Sequence, residues 1–145
     1  MNKLFMPSKN KNESGQAALR ERLRQATRDL VFLSESDAPI RPFYAGQVDT
    51  VDVETISRVT KTPPGTEIEV ADFEEFFQRL TEVRDWYTLK QKADTVRFEA
   101  LERLMVAELR ELAVYRIGKI RIRIFVVGLD RYGGLAGIAT DAVET

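Results

Sequence analysis

The chain reads as an α+β domain, and three observations carry that reading. Two stretches place apolar residues at helical spacing: Leu19, Leu23, Ala26, Leu30 and Leu33 in the first, Phe98, Leu101, Leu104, Met105, Leu109 and Leu112 in the second. From Lys119 to Val127 the period is two, with Ile120, Ile122, Ile124 and Val126 on one side and Arg121, Arg123, Phe125 and Val127 on the other. Asp130, Gly133 and Gly134 then supply the turn chemistry that sends the chain back antiparallel as a hairpin. Helices separated by short strands and closed by a hairpin predict a mixed or antiparallel sheet layered with helices, in preference to a barrel.

In chain order, residues 1–13 are polar, rich in Lys and Asn and without periodicity, so a loose arm is expected there and one domain over residues 14–145. A helix is expected from Ser14 to Leu33, ended by Ser34, Glu35, Ser36 and Asp37, an exposed acidic loop, because Pro39 and Pro42 forbid its continuation. Ile40, Phe43 and Tyr44 form a short extended segment that Pro42 confines to a sheet edge or to no sheet. Thr50 to Thr60 fits a short helix better than a strand, Thr62 to Gly65 is a turn, and Glu67 to Val70 alternates as a strand. Asp72 followed by Glu75 predicts a capped helix start, and Phe73, Phe76, Phe77 and Leu80 make an aromatic stripe that is core. After a break at Arg84, Asp85, Trp86 and Tyr87, the last helix is expected over Lys90 to Leu112. Leu135 to Val143 is the second arm of the hairpin, and the sequence closes on Glu144 and Thr145.

Composition narrows the chemistry. The 145 residues are 43% hydrophobic and 31% charged, values of a globular domain. No apolar run approaches the roughly 20 residues that span a bilayer, and no secretory leader pattern opens the chain, so a cytoplasmic protein without membrane contact is expected. With no cysteine and no histidine, thiolate chemistry, the Ser-His and Cys-His pairs and the usual zinc ligands are excluded. Twenty-two basic residues balance 23 acidic ones, which argues against direct binding of nucleic acid; the arginines at 20, 22, 24 and 28 read as a solvated helix face.

Candidate sites are few. Ser34 to Asp37 lacks the spacing of a calcium loop, and the glycines at 133, 134 and 137 precede a strand and so cradle no phosphate. Trp86, the one tryptophan, stands among charged and polar residues at a helix break, where it either packs in the core or anchors an interface. Thr145 brings a hydroxyl directly after a strand, a group of oxygens that can face a partner. The residues favour a binding module over an enzyme.

The segments that carry a family likeness are Ala26–Thr27 with Leu30 to Asp37, then Asp72, Phe73, Phe76 and Phe77, the Asp85-Trp86-Tyr87 break, Val114 to Gly118, Gly134 to Thr140, and the closing Val143, Glu144 and Thr145. Together they resemble the sugar-nonspecific nuclease inhibitor family (nuclease A inhibitor-like proteins) over about residues 16–145. The resemblance implies a three-layer α/β/α sandwich, similar to that of pathogenesis-related proteins, and a monomer that inhibits a DNA/RNA non-specific endonuclease without catalysing anything. In that mode Thr145 reaches the nuclease's magnesium, Glu35 stands in for the charge of the scissile phosphate, and Asp85 with Trp86 forms a second contact patch. No cofactor of its own is implied; the partner's magnesium bridges the complex. The alternatives are an interaction protein of the same fold with a different partner, and a carboxylate and magnesium phosphoesterase, which the missing histidine disfavours.

Overall fold

A computed structural model of the chain describes residues 7–145, with side chains from residue 13 onward. The fold is α+β. Helix α1 (Pro7–Thr27) begins seven residues before the expected start at Ser14, so residues 7–13 of the expected arm are its opening turns, while residues 1–6 lie outside the described residues. It also ends early. The Thr27 hydroxyl donates back to the Leu23 carbonyl at 2.8 Å, Asp29 turns left-handed at φ 60°, and the Leu30 amide closes on the Thr27 carbonyl. Leu30 remains buried, but it enters the core from a loop, and Leu33 is exposed.

The chain then forms β1 (Val31–Phe32) and β2 (Ala38–Pro39), a two-stranded ribbon around the acidic loop. Strand β3 (Arg41–Gln47) follows at the edge of the main sheet, where Pro42 is tolerated. Helix α2 (Val53–Val59) starts at Asp52, whose side chain accepts from the Thr55 amide at 2.8 Å. Strand β4 (Ile68–Ala71) leads directly into α3 (Phe73–Thr81), where Asp72 accepts from the Glu75 amide at 3.0 Å. The reciprocal capping box expected at Asp72 and Glu75 occurs instead at α4 (Leu89–Glu108): Thr88 accepts from the Gln91 amide, and the Gln91 side chain accepts from the Thr88 amide.

Helix α4 stops at Glu108, four residues short of the expectation, because Leu112 belongs to a strand that alternation did not reveal. This is β5 (Arg110–Ile117), entered through an irregularity where Glu111 takes φ 58°. Strands β6 (Arg121–Leu129) and β7 (Gly134–Val143) complete a five-stranded antiparallel sheet in the order β3-β7-β6-β5-β4. Gly133 takes φ 84° in the hairpin turn, as expected of a glycine there.

Strand alternation divides the core. Val114, Val126 and Ile138 stand side by side on one face and pack with Leu23 of α1, Phe77 of α3 and Leu101 and Met105 of α4. Tyr115, Phe125 and Ala139 face the other way and pack with Ile56 of α2 and with Leu135. The aromatic stripe of α3 is core, as expected: Phe73 and Phe77 are buried, and Phe76 stacks on Phe32 with ring centroids 5.8 Å apart. Arg123, on the α2 face, reaches beyond the apolar cluster to the Thr60 carbonyl and the Thr62 hydroxyl at the end of α2.

Candidate functional site: a clasp and a tryptophan loop beside one cleft

The sheet topology brings the acidic loop to the end of the chain. Val143 closes β7 beside β6, and beyond it the residues are held by hydrogen bonds from three directions. The Glu35 amide donates to the Val143 carbonyl at 3.3 Å, and the Val143 amide donates to the Ser34 hydroxyl at 3.1 Å. Ser34 in turn donates to the Ser36 carbonyl at 2.7 Å, a serine turn that folds the acidic loop on itself. The Glu144 amide donates to the Ile120 carbonyl at 2.9 Å, at the tip of the β5–β6 hairpin.

Glu35 and Thr145 are joined directly. The Thr145 amide donates to Glu35 Oε2 and the Thr145 hydroxyl to Glu35 Oε1, both at 2.7 Å. Two parallel bonds from one residue to one carboxylate fix both side chains while leaving them exposed. The amide and then the hydroxyl of Thr145 hold the Glu35 carboxyl below the ordinary glutamate range, so it is charged at neutral pH. Each carboxylate oxygen has a second lone-pair direction, and the donating Thr145 hydroxyl keeps its own lone pairs, so the pair still presents oxygens outward. The acidic loop was expected to be exposed, and Glu35 is exposed, but its carboxylate is engaged by Thr145, which an isolated reading of the loop does not reveal.

Arg116 backs this arrangement. It lies on β5, on the face that otherwise carries Val114, and is only 19% exposed. Its guanidinium takes Glu144 Oε2 at 2.6 Å and Glu69 Oε1 of β4 at 3.1 Å, tying the residue before Thr145 to the sheet. Arg116, Ser34 and Glu144 stand in segments that carry the family likeness, but nothing in the sequence assigned them a role in the site. No sequence signal marked Arg116 as a brace, because β5, whose core-facing side it shares, was itself not read as a strand.

Asp85 and Trp86 sit in the connection between α3 and α4. Both are exposed, Trp86 at 69%, so of the two readings left open for the tryptophan the core is overturned. The segment lies between the last turn of α3 and the Thr88 cap of α4, and the Trp86 ring meets Tyr87 edge-on with centroids 4.8 Å apart. No hydrogen bond or ion pair among the described residues engages the Asp85 carboxylate or the indole N–H. Val83 and Leu89 are exposed beside them, which makes an apolar rim around the ring.

No bond links Asp85 or Trp86 to Glu35 or Thr145 among the described residues. The clasp, through Glu35 and Glu144, and the α3–α4 connection, through Tyr87, border one cleft of about 1150 Å³ between β4, α3 and the start of α4, whose lining includes none of Thr145, Asp85 and Trp86. Glu35 and Glu144 line one side, Tyr87 and Thr88 the other, and Phe76 and Phe98 contribute to its apolar surface.

Among the described residues no helix is long and apolar enough to cross a membrane. No curated protein matches the sequence. The sequence profile of the Nuclease A inhibitor-like protein family matches residues 17–145, from the second half of α1 to Thr145, and so spans both patches and every strand. The chain belongs to the Nuclease A inhibitor-like family.

Proposed function

We propose that this protein is a non-catalytic inhibitor that binds a metal-dependent, sugar-nonspecific DNA/RNA endonuclease and blocks its active site. The family supports nuclease inhibition, and the observation that carries the finer reading is the pair of 2.7 Å bonds between Glu35 and Thr145. A phosphodiester offers a nuclease two things: a negative charge for cationic side chains and hard oxygens for a divalent metal. The clasp offers the same two from adjacent groups, the Glu35 carboxylate as the charge and the Thr145 oxygens as hard ligands that replace magnesium-bound water. Glu35 orients the Thr145 hydroxyl and, by accepting its proton in a hydrogen bond, makes the oxygen a better ligand. Asp85 and Trp86 supply the second contact, with the exposed indole as the anchor.

Titration of a sugar-nonspecific endonuclease tests this reading. The unmodified protein inhibits; residues added after Thr145 abolish most of the inhibition, since near-octahedral ligation at about 2.1 Å leaves no room for them, and the same residues added before Met1 change nothing. Removing magnesium weakens the complex without altering the melting temperature of the free protein. Equal inhibition by all three forms contradicts the role given to Thr145, and no inhibition by any of them contradicts the function itself.

A further inference from the structure

The cleft beside the clasp carries a charge that the chain as a whole does not. Seven carboxylate side chains line it against three cationic ones, a net of minus four in a chain of net minus one. Local pairing consumes part of this: Lys90 is held by Asp94, and Arg116 by Glu69 and Glu144. Asp37 and Glu75 are exposed at the rim without an ion pair among the described residues. Beneath them Phe76 and Leu80 offer apolar surface, and Leu33, 51% exposed, adds an apolar side chain to the lining.

We infer that this cleft is a third contact surface, and that its occupant is a basic, apolar-tipped segment of the nuclease flanking its catalytic centre; this rests on the function proposed above. An enzyme that cleaves DNA and RNA regardless of sugar holds its substrate by the phosphate backbone, and so carries lysine and arginine around its cleft. With Glu35 and Thr145 seated in that centre, the adjoining basic surface of the enzyme comes to lie over Asp37 and Glu75. The carboxylate rim attracts the cations, and the apolar floor takes the tip of the segment. A small apolar ligand would use the floor but not the rim, and a second copy of this chain would bring its own excess of carboxylates to the same place.

The test uses the full chain with the substitutions Glu75→Lys and Leu33→Lys, and with Glu54→Lys as a control. Glu54 is exposed on α2, and Glu54→Lys changes net charge by the same amount as Glu75→Lys. Against a sugar-nonspecific endonuclease at low salt, Glu75→Lys weakens inhibition by about tenfold or more, and the deficit shrinks as salt rises, as for a rim charge that complements its partner. Leu33→Lys weakens it as well, and Glu54→Lys stays within about twofold of the unmodified protein. Equal inhibition by Glu75→Lys and Glu54→Lys, with the unmodified protein still inhibitory, overturns this proposal alone. Failure of the unmodified protein to inhibit overturns both the function and the cleft. A concentration-dependent dimer of the free protein that Glu75→Lys dissociates assigns the cleft to a second copy and overturns the proposal too.

Discussion

Glu35 and Thr145 satisfy each other, whereas the Asp85 carboxylate and the Trp86 indole N–H have no hydrogen-bond or ion-pair partner among the described residues. The first pair is polar, bonded twice, and braced through Ser34, Val143 and Glu144 to three strands. The second is an exposed indole and a carboxylate on a short connection between helices. The contrast is between two ways of making a surface ready to bind. In the clasp the conformational cost of ordering is met within the free fold, so binding need not meet it again. In the tryptophan loop, on the function proposed above, the gain comes at binding, when a large apolar ring leaves water. A residue can therefore be important to the complex either because it is already fixed or because it is still exposed.

The largest expected effect separates these two devices by their response to truncation. Deleting Thr145 removes both bonds to Glu35 and the oxygens beside it, and costs about 3 kcal/mol or more of binding, roughly a hundredfold, in the range of a dominant interface residue. The melting temperature of the free protein moves little, since Thr145 is exposed. Inhibition assays beside thermal unfolding check both halves. Trp86→Ala comes next, with about 2 kcal/mol of binding lost and stability unchanged within about 0.5 kcal/mol, because the ring covers almost nothing in the free fold. A loss of stability of about 3 kcal/mol instead would return the tryptophan to the core.

Ser34→Ala sharpens the comparison from the side of preorganisation. It removes the acceptor of the Val143 amide and costs about 1 kcal/mol of stability, with a loss of inhibition although Ser34 itself presents no charge to a partner. Unchanged stability by denaturant midpoint would show that the brace is not needed. The smallest effect is on pH. Because the bonds from Thr145 lower the folded-state pKa of Glu35, the clasp's contribution is complete above the ordinary glutamate pKa and is lost as pH falls through the lowered folded value. The Thr145 amide resonance, followed by NMR, should titrate below the ordinary glutamate range; a midpoint at or above it means the clasp is open in solution.

Much of the scaffold was legible in the sequence. Pro42 marked β3 as an edge strand, the residues around Val53 and Ile56 marked α2, and the phenylalanine stripe marked α3 as core. The errors fall where two periodicities overlap. Leu30 and Leu33 continue the spacing of α1, and Leu109 and Leu112 that of α4, but in each case the backbone leaves the helix at or near a left-handed residue, Asp29 or Glu111. Strand β5 went unseen because Val114 and Tyr115 are buried on opposite faces, so a doubly covered strand shows no alternation to read. The geometry of the candidate site was not legible. Glu35 and Thr145 are 110 positions apart, and only the path of β7 past the acidic loop makes them neighbours.

The claim that matters most is that Glu35 and Thr145 act as one unit, and a double-mutant cycle measures it. Glu35→Gln removes the charge, Thr145→Val removes the hydroxyl while keeping the shape, and the affinity of each variant and of the double variant for a sugar-nonspecific endonuclease is determined in magnesium. The account predicts that the double variant loses less than the sum of the single losses, with a coupling of about 1–3 kcal/mol, as expected of residues that share a hydrogen bond. Losses that add within about 0.5 kcal/mol would mean that the two side chains meet the partner independently, and would contradict the clasp as the functional element.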